Sequence, residues 1–456
     1  MLQFSKRLIS KRIRVTLVLT RFVSKSITAT TAREEEFNVR LDSISDGFDD
    51  GGMEAAESTR VYLDTFREVG SGALSRLIEK QSDAGEPVHC VVYDHCIPWC
   101  LDVAKKFGLV GAAFLTQSCA VDTIYNHVYQ GLIRPPSCAV DSIYNHVRDG
   151  LIESTPLPWL PPLETRDLPS FVNDTGDNPG VLEMFKGQFS NLDQADWVIC
   201  NTVYELEQQA VDWLTRRWPN FITIGPTIPS MYLDKQFPND TDYGFSIFKP
   251  MNEICMNWLG DKPKGSVVYV SFGSLADLGT EQMVELCFGL KNSGHYFLWV
   301  VRESEQSKLP YDFSSTGEEQ KGLIVSWCPQ LRVLASGAVG CFLTHCGWNS
   351  TLEALSLGVA MVAMPRWSDQ TTNAKFIEDE WGVGVRAREG GGDGVVRREE
   401  IERCVREVME EGEKAVEIRR NGDKWKKVMK DAVSEDGSSD RNVREFVDSL
   451  IRVCLW

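Results

Sequence analysis

Residues 327–370 read WCPQLRVLASGAVGCFLTHCGWNSTLEALSLGVAMVAMPRWSDQ, and this stretch decides the fold. Within it, the apolar segment Val339 to Leu343 leads into Thr344-His345-Cys346-Gly347-Trp348-Asn349-Ser350, and Leu352-Glu353-Ala354-Leu355 follows. That order predicts a short buried strand, a glycine-containing turn and an apolar-periodic helix. Backbone N–H groups at such a helix start, with the Asn349 amide and the Ser350 hydroxyl, form an anion site suited to phosphate. A second apolar run, Val359 to Met364, ends at Pro365 and delivers Trp367-Ser368-Asp369-Gln370. A carboxylate and an amide at a strand's carboxyl end are placed to read sugar hydroxyls in the crevice where open parallel sheets bind ligands.

Working outward, the strand–helix alternation repeats on both sides. Toward the C-terminal half it predicts a helix over Ile254 to Leu259, a strand over Ser266 to Ser271 followed by Gly273-Ser274, and a helix over Thr280 to Lys291. Strands at Tyr296 to Arg302 and Leu323 to Ser326 follow, the second delivering Trp327. Helices are expected at 372–380, 398–413, 415–433 and 442–454. In the N-terminal half, an amphipathic helix over residues 1–12 feeds a strand at Ile13 to Thr20. Further strands are expected at Phe37 to Leu41, His89 to Asp94, Trp197 to Cys200 and Phe221 to Ile224, and helices at 59–80, 100–107, 181–194 and 205–218. The polar passage 227–252, with Pro229, Pro238 and Pro250 and no periodicity, reads as a linker. The expectation is an α/β protein with two Rossmann-like parallel-sheet domains, 1–226 and 253–435, facing across a cleft, and a last helix within 436–456 returning to the first.

Composition narrows the function classes. A chain of 456 residues with 43% hydrophobic and 25% charged content is an ordinary globular protein of more than one domain. Its net charge of −17 argues against nucleic acid or an anionic membrane surface as a partner. No apolar run reaches the length of a membrane span, and Val15 to Leu19 is too short for a signal peptide core, so no stable membrane insertion is expected. The 13 cysteines form no CxxC pair and read as reduced thiols of a cytoplasmic protein.

Several features divide between chemistry and structure. Asp94 ends a buried strand, where it either serves chemistry or caps the next helix. Gly70-Ser71-Gly72 lacks both a preceding strand and a third glycine, which excludes a nicotinamide fingerprint. The acidic loop Asp42 to Gly52 lacks alternating calcium ligands and reads as solvated surface. SCAVDTIYNHVYQGLI at 118–133 recurs as SCAVDSIYNHVRDGLI at 137–152, identical at 13 of 16 positions, which marks a local duplication. It yields His127 and His146 as copies of one residue rather than as a metal pair.

WCPQ, THCGWNS, the following LE and GV, and DQ at these spacings resemble the signature box of plant family 1 UDP-glycosyltransferases, and the similarity extends over nearly the whole chain. YDHCIPW, TQSCAV, YLDK and VYVSFGS are most similar to the group acting on small carboxylic acids and terpenoid aglycones. The resemblance implies a GT-B fold and inverting transfer of glucose from UDP-glucose to a small lipophilic or aromatic acceptor, by a monomer with no metal and no further cofactor. It implies that Trp327 stacks on uracil, that Cys328 and Gln330 contact base or ribose, and that Glu353 holds the ribose hydroxyls. His345, Asn349 and Ser350 would contact the diphosphate, Gly347 and Trp348 would shape the approach, and Ser274 would assist. Asp369 and Gln370 would hold the glucose. Asp94 would orient a general-base histidine.

This sequence departs from the family's pattern in three places. Ala360 stands where proline is usual and Ser336 where histidine is common. Members also begin with a strand and a Gly-His-x-x-Pro-type turn carrying the base, and Met1 falls just beyond the position of that turn. The expectation is therefore a missing first strand and catalytic histidine. His95, next to Asp94, is not expected to substitute, since adjacent residues at a strand tip point in different directions. Without the base, an already ionised carboxylic acid acceptor is expected to keep more activity than an alcohol, and a UDP-sugar-binding protein with little transfer is the alternative function.

Overall fold

A computed structural model of the chain describes residues 1–27, 39–133, 159–173, 179–244, 250–310 and 321–454. Two compact units divide it: one holds 1–228, 243–247 and 431–456, the other 229–242 and 248–430. Both are α/β units with parallel sheets.

In the first unit, β1 (Thr16–Thr20) pairs in parallel with β2 (Arg40–Ile44), from Thr16↔Arg40 to Thr20↔Ile44. A separate parallel sheet runs β3 (Cys90–Asp94), β4 (Val110–Leu115), β5 (Trp197–Cys200) and β6 (Phe221–Thr223) in sequence order. The helix Leu2–Ser10 carries Phe4 and Leu8 four residues apart, hence on one face, and both are buried. They meet Ala112, Phe114, Ile199 and Ile222 of the sheet and Val443, Phe446 and Val447 of the last helix, Ser438–Cys454. Phe4 stacks on Phe114 with centroids 5.7 Å apart, and Phe446 meets Trp197 edge-on at 5.6 Å. Polar contacts fasten the same helix: Ser439 Oγ donates to the Gly225 carbonyl at 2.6 Å, and Lys11 pairs with Asp440 at 2.9 Å.

The second unit has a six-stranded parallel sheet in the order β12-β11-β10-β7-β8-β9. Here β7 is Val267–Ser271, β8 Tyr296–Val300, β9 Gly322–Val325, β10 Val339–Thr344, β11 Ala360–Ala363 and β12 Gly384–Arg386. The chain runs outward from β7 through β8 to β9, returns to β10 on the other side of β7, and runs outward again. That reversal is a topological switch, and ligands of open α/β sheets bind beyond the carboxyl ends of the strands on either side of it. All five residues of β7 are buried, as expected of a central strand covered on both faces. The helices Thr280–Ser293 and Arg398–Met409 cover one face, where a Cβ on Gly289 would stand 2.7 Å from Ile401 Cβ.

The structure differs from the sequence reading in instructive ways. The second strand begins at Arg40 rather than Phe37, a residue outside the described ones, and runs on to Ile44. The acidic loop that follows is not all solvated: Asp46 is buried, accepting from Phe48 N–H at 2.9 Å and the Tyr62 hydroxyl at 3.1 Å. The helix expected over 181–194 ends at Gly187, and a separate 3₁₀ turn occupies Leu192–Gln194. Gly70-Ser71-Gly72 lies inside the helix Thr59–Asp83, with Gly70 against Trp99. The first copy of the duplication forms the helix Cys119–Tyr129, while the second copy, with His146, lies outside the described residues. No helix among the described residues is long and apolar enough to cross a membrane.

Phe446 links the last helix to Phe4 and Trp197. Phe446→Ala is expected to cost about 3–5 kcal/mol. Hydrogen exchange under mild urea should show lost protection in β4 and β5, with β7 and β10 keeping theirs.

Candidate active site

Every donor-side residue singled out from the sequence lies in the second unit, at or near the carboxyl ends of β7, β9, β10 and β11. Beyond β9, Trp327 is partly exposed, and its carbonyl accepts from Met251 N–H at 3.1 Å. This fixes the loop while leaving part of an aromatic surface accessible. Cys328 is buried and its thiol lies 3.2 Å from the Tyr269 hydroxyl, so the side chain faces the sheet. Gln330 opens the short helix Gln330–Leu334. Its Nε2 donates to Glu353 Oε2 at 2.7 Å and to Ser350 Oγ at 3.0 Å. Glu353 is 3% exposed, a carboxylate removed from water and met by an amide.

Beyond β10 the backbone turns sharply. Cys346 adopts a left-handed conformation with φ 67°, uncommon for a residue with a side chain, and its N–H donates to Thr344 Oγ1 at 3.2 Å. Gly347 then caps the ten-residue helix Trp348–Leu357. The first-turn N–H groups of a helix have no partners within it. Trp348 is buried, Ser350 is buried and Asn349 is exposed, so the polar groups at this helix start differ in access. Gly273, beyond β7, and Gly347 both press on His345: a Cβ at either would approach its Nε2 to 2.8 or 2.5 Å. Burial pushes the His345 imidazole down to about 4, and the Ser271 backbone offsets little of this. The ring is therefore neutral at pH 7 and carries one N–H. Ser274 is exposed, and its carbonyl accepts from the Arg302 guanidinium at 2.5 Å.

Beyond β11, Ser368 also takes a left-handed conformation, φ 62°, which turns the chain into Asp369. Asp369 is buried, and its Oδ2 accepts from Asn373 Nδ2 at 2.7 Å. The same Nδ2 donates to the Cys346 carbonyl at 2.9 Å, which ties this loop to the turn after β10. Burial raises the Asp369 carboxyl to about 6, opposed by hydrogen bonds from Asn373 and from its own and the Trp348 backbone N–H. Gln370 Oε1 is committed to the N–H groups of Arg366 and Trp367, at 2.9 and 3.1 Å, which leaves the NH₂ end as what Gln370 offers a ligand.

In the first unit Asp94 stands at the tip of β3 with a side chain 43% exposed. Its Oδ1 accepts from Cys96 N–H at 3.0 Å, closing a tight turn. The helix that follows starts at Trp99, so Asp94 does not cap it. His95 is 2% exposed, and its Nδ1 lies 3.1 Å from the Phe114 carbonyl across the sheet. Asp94, His95 and Cys96 bring ligand atoms within 4.8 Å of one another. However, this Nδ1 is engaged, and burial with the neighbouring Asp94 keeps the Cys96 thiol protonated. His127 is held by Thr123 O at 2.6 Å and stacks on Trp213 at 4.8 Å, a packing role.

Three residues here escaped the sequence reading: Tyr269, Asn373 and Arg302. Tyr269 carries a usable signal, because a tyrosine inside the buried strand VVYVS needs a partner for its hydroxyl. Asn373 and Arg302 lie in ordinary polar contexts and are found only through the fold.

Known proteins with this arrangement are close in sequence. The family model described as UDP-glucoronosyl and UDP-glucosyl transferase matches residues 202–414. The chain is 48% identical over 448 residues to UDP-glycosyltransferase 74E2 of Arabidopsis thaliana, covering 98% of this chain and 95% of that one. It is 45% identical over 450 residues to Mogroside I-E synthase of Siraitia grosvenorii, with 99% and 95% covered. The crystal structure of Os79 from O. sativa in complex with UDP matches with a TM-score of 0.87 at 40% identity, over 98% of this chain and 96% of that one. Similarity of this degree along almost all of both chains settles the matter: the chain belongs to the UDP-glycosyltransferase family and has its GT-B fold.

Proposed function

We propose that the chain transfers glucose from UDP-glucose, with inversion at the anomeric carbon, to a hydroxyl or carboxyl oxygen of a small plant metabolite such as a phenolic, flavonoid, hormone acid or terpenoid. The observation that carries this reading is the convergence, at one topological switch, of an aromatic platform, a buried amide–carboxylate pair, a helix start and a second buried carboxylate. In this assignment Trp327 stacks on uracil beside Cys328 and Gln330, and Glu353 accepts from the ribose hydroxyls. His345, Asn349 and Ser350, with Ser274, meet the diphosphate, while Gly347 and Trp348 give it close access. Asp369 and Gln370 hold the glucose, one accepting and the other donating.

The acceptor oxygen attacks the anomeric carbon from the face opposite UDP, and the carbon–phosphate-oxygen bond breaks. Charge builds on the leaving diphosphate, where helix-start N–H groups and the neutral His345 N–H stabilise it without a metal in this reading. On the acceptor side we assign Asp94 as the carboxylate that would orient a general-base histidine; an acceptor that is already an ionised carboxylate needs no such base. The described cysteines are all free thiols, which fits a reducing, cytoplasmic setting, and we expect a monomer. A donor-binding protein without transfer is not favoured, since relatives matched along 98% or more of the chain are named as a glycosyltransferase and a synthase.

Incubating the purified chain with UDP-glucose and panels of phenolic, carboxylic and terpenoid acceptors is expected to release UDP and a β-linked glucoside, identified by mass spectrometry and NMR. Donor binding with no glucoside from any acceptor would overturn the reading. Transfer to carboxylic acid acceptors is expected to exceed transfer to alcohol acceptors by roughly 10²-fold, the scale of general-base assistance; equal kcat on both would overturn this.

Asp369 gives a pH signature. Its carboxyl is raised to about 6, so below that pH the acceptor of sugar hydroxyls becomes protonated. The apparent kcat/KM for UDP-glucose should fall about tenfold per pH unit below pH 6, while UDP affinity stays level. Asp369→Asn should lower kcat/KM by roughly 10²-fold and abolish that limb. The stability sign is opposite. A raised folded pKa means the native state binds the proton more tightly, so Asp369 contributes stability at low pH that is lost as pH rises to about 6.

A further inference from the structure

The Gln330–Glu353 contact is one link of a longer chain of hydrogen bonds whose polarity can be worked out link by link. Tyr269 is 1% exposed on β7, and its ring stacks on Phe342 of β10 at 4.8 Å. Its hydroxyl lies 2.9 Å from Gln330 Oε1 and 3.2 Å from Cys328 Sγ, and the Ser271 hydroxyl is also within its reach. Gln330 Nε2 faces Glu353 Oε2 at 2.7 Å and Ser350 Oγ at 3.0 Å.

Start from the end that has no choice. With Glu353 ionised, as the proposed ribose contact requires, the carboxylate only accepts, so the amide presents its NH₂ to Glu353 and its Oε1 to Tyr269. A phenol has one proton, and Gln330 Oε1 can only accept, so Tyr269 donates to it. The Tyr269 oxygen is then left to accept, from the Cys328 thiol or the Ser271 hydroxyl. Burial favours the protonated form of both Tyr269 and Cys328, which keeps each a donor. The order Tyr269 O–H to Gln330 Oε1, then Gln330 N–H to Glu353, follows from the carboxylate end, with the Tyr269 oxygen left to accept from Cys328 or Ser271. If the amide turned over, Oε1 would face a carboxylate and NH₂ would face a hydroxyl whose proton already points at it.

We infer that Tyr269 is a positioning residue of the donor site, which sets the orientation of the Gln330 amide and through it holds the Glu353 carboxylate in the rotamer that receives the ribose hydroxyls. The residue touches no substrate. It acts from inside the sheet, on a strand whose register against β10 places its hydroxyl under the loop that follows β9. The inference rests on the assignment of Glu353 to ribose in the proposed function, and its test separates the two.

The readout is ribose discrimination, measured by calorimetric titration of UDP and of 2′,3′-dideoxyuridine diphosphate, which lacks both hydroxyls. In the unaltered chain UDP should bind about 10- to 100-fold more tightly than the dideoxy analogue, the scale of one or two hydrogen bonds to a charged group. Tyr269→Phe keeps the ring on Phe342 and removes only the donor. It should weaken UDP about tenfold and leave the dideoxy analogue within about twofold, so that the ratio collapses. Equal weakening of both ligands, the mark of a general packing defect, overturns the inference, as does an unchanged ratio. Glu353→Gln is the parallel arm: if it leaves discrimination intact, the ribose assignment fails, whereas if it abolishes discrimination and Tyr269→Phe does not, only the positioning role fails. Should Tyr269→Phe unfold the unit, 3-fluorotyrosine at position 269 keeps the hydroxyl and strengthens it as a donor; a raised ratio supports the relay and an unchanged one overturns it.

Discussion

At the crevice between β7 and β10 the ring of His345 lies between Gly273 and Gly347, where a Cβ would stand 2.8 and 2.5 Å from its Nε2. Distances below 3.0 Å are essentially never seen for real Cβ atoms, so both positions require glycine for as long as the ring stays there. Much of the donor site follows from that clasp. It brings the loop after β7 against the turn after β10, obliges Cys346 to take a left-handed backbone, and makes Gly347 the residue from which the helix Trp348–Leu357 departs. The imidazole is buried and therefore neutral, so in the proposed reading it meets the diphosphate as a dipole rather than a charge.

The two buried carboxylates of this unit share a further device. Glu353 is met by the amide of Gln330, and Asp369 by the amide of Asn373. A lysine or arginine in either place would neutralise the acid and satisfy it. An amide supplies a hydrogen bond and no charge, so neither amide neutralises its buried acid. In the proposed reading, hydroxyl groups of a ribose or a hexose are the donors that meet these carboxylates. The raised carboxyl of Asp369 is the measurable side of this arrangement.

Most of the apolar strands can be read directly in the sequence, because burial on both faces leaves unbroken runs such as Val267–Ser271 and Val339–Thr344. The buried strand Val110–Leu115, with Gly-Ala-Ala at its centre and few β-branched residues, and the helix Cys119–Tyr129 are absent from the sequence expectation. The strand Gly384–Arg386 cannot be read there, since three residues hold no period and its pairing with Met361–Ala363 fixes it only in the fold. The same limit hides the short helix Gln330–Leu334. Site residues divide likewise. Asp369 and Gln370 stand out by their place at a strand's carboxyl end, whereas Trp327 and Glu353 are singled out through the family resemblance. Tyr269 and Asn373 act on those residues from 61 and four positions away, Tyr269 through Gln330 and Asn373 on Asp369, and only tertiary structure supplies the Tyr269 distance. Asp46 shows the reverse error: an acidic loop looks solvated until its carboxylate is found buried, accepting from the Tyr62 hydroxyl.

The helix Ser438–Cys454 packs among residues encoded more than two hundred positions earlier, with Phe446 touching both Phe4 and Trp197. On a ribosome, sequence emerges in one direction and domains condense as their residues become available. The second unit is nearly contiguous and has all its strands once 386 residues have emerged, whereas the first must wait for its closing helix. The half that is translated first is thus completed last. During that interval its β4 and β5 residues Phe114 and Ile199 lack their cover, which makes the nascent first unit the part of this protein with most need of a chaperone.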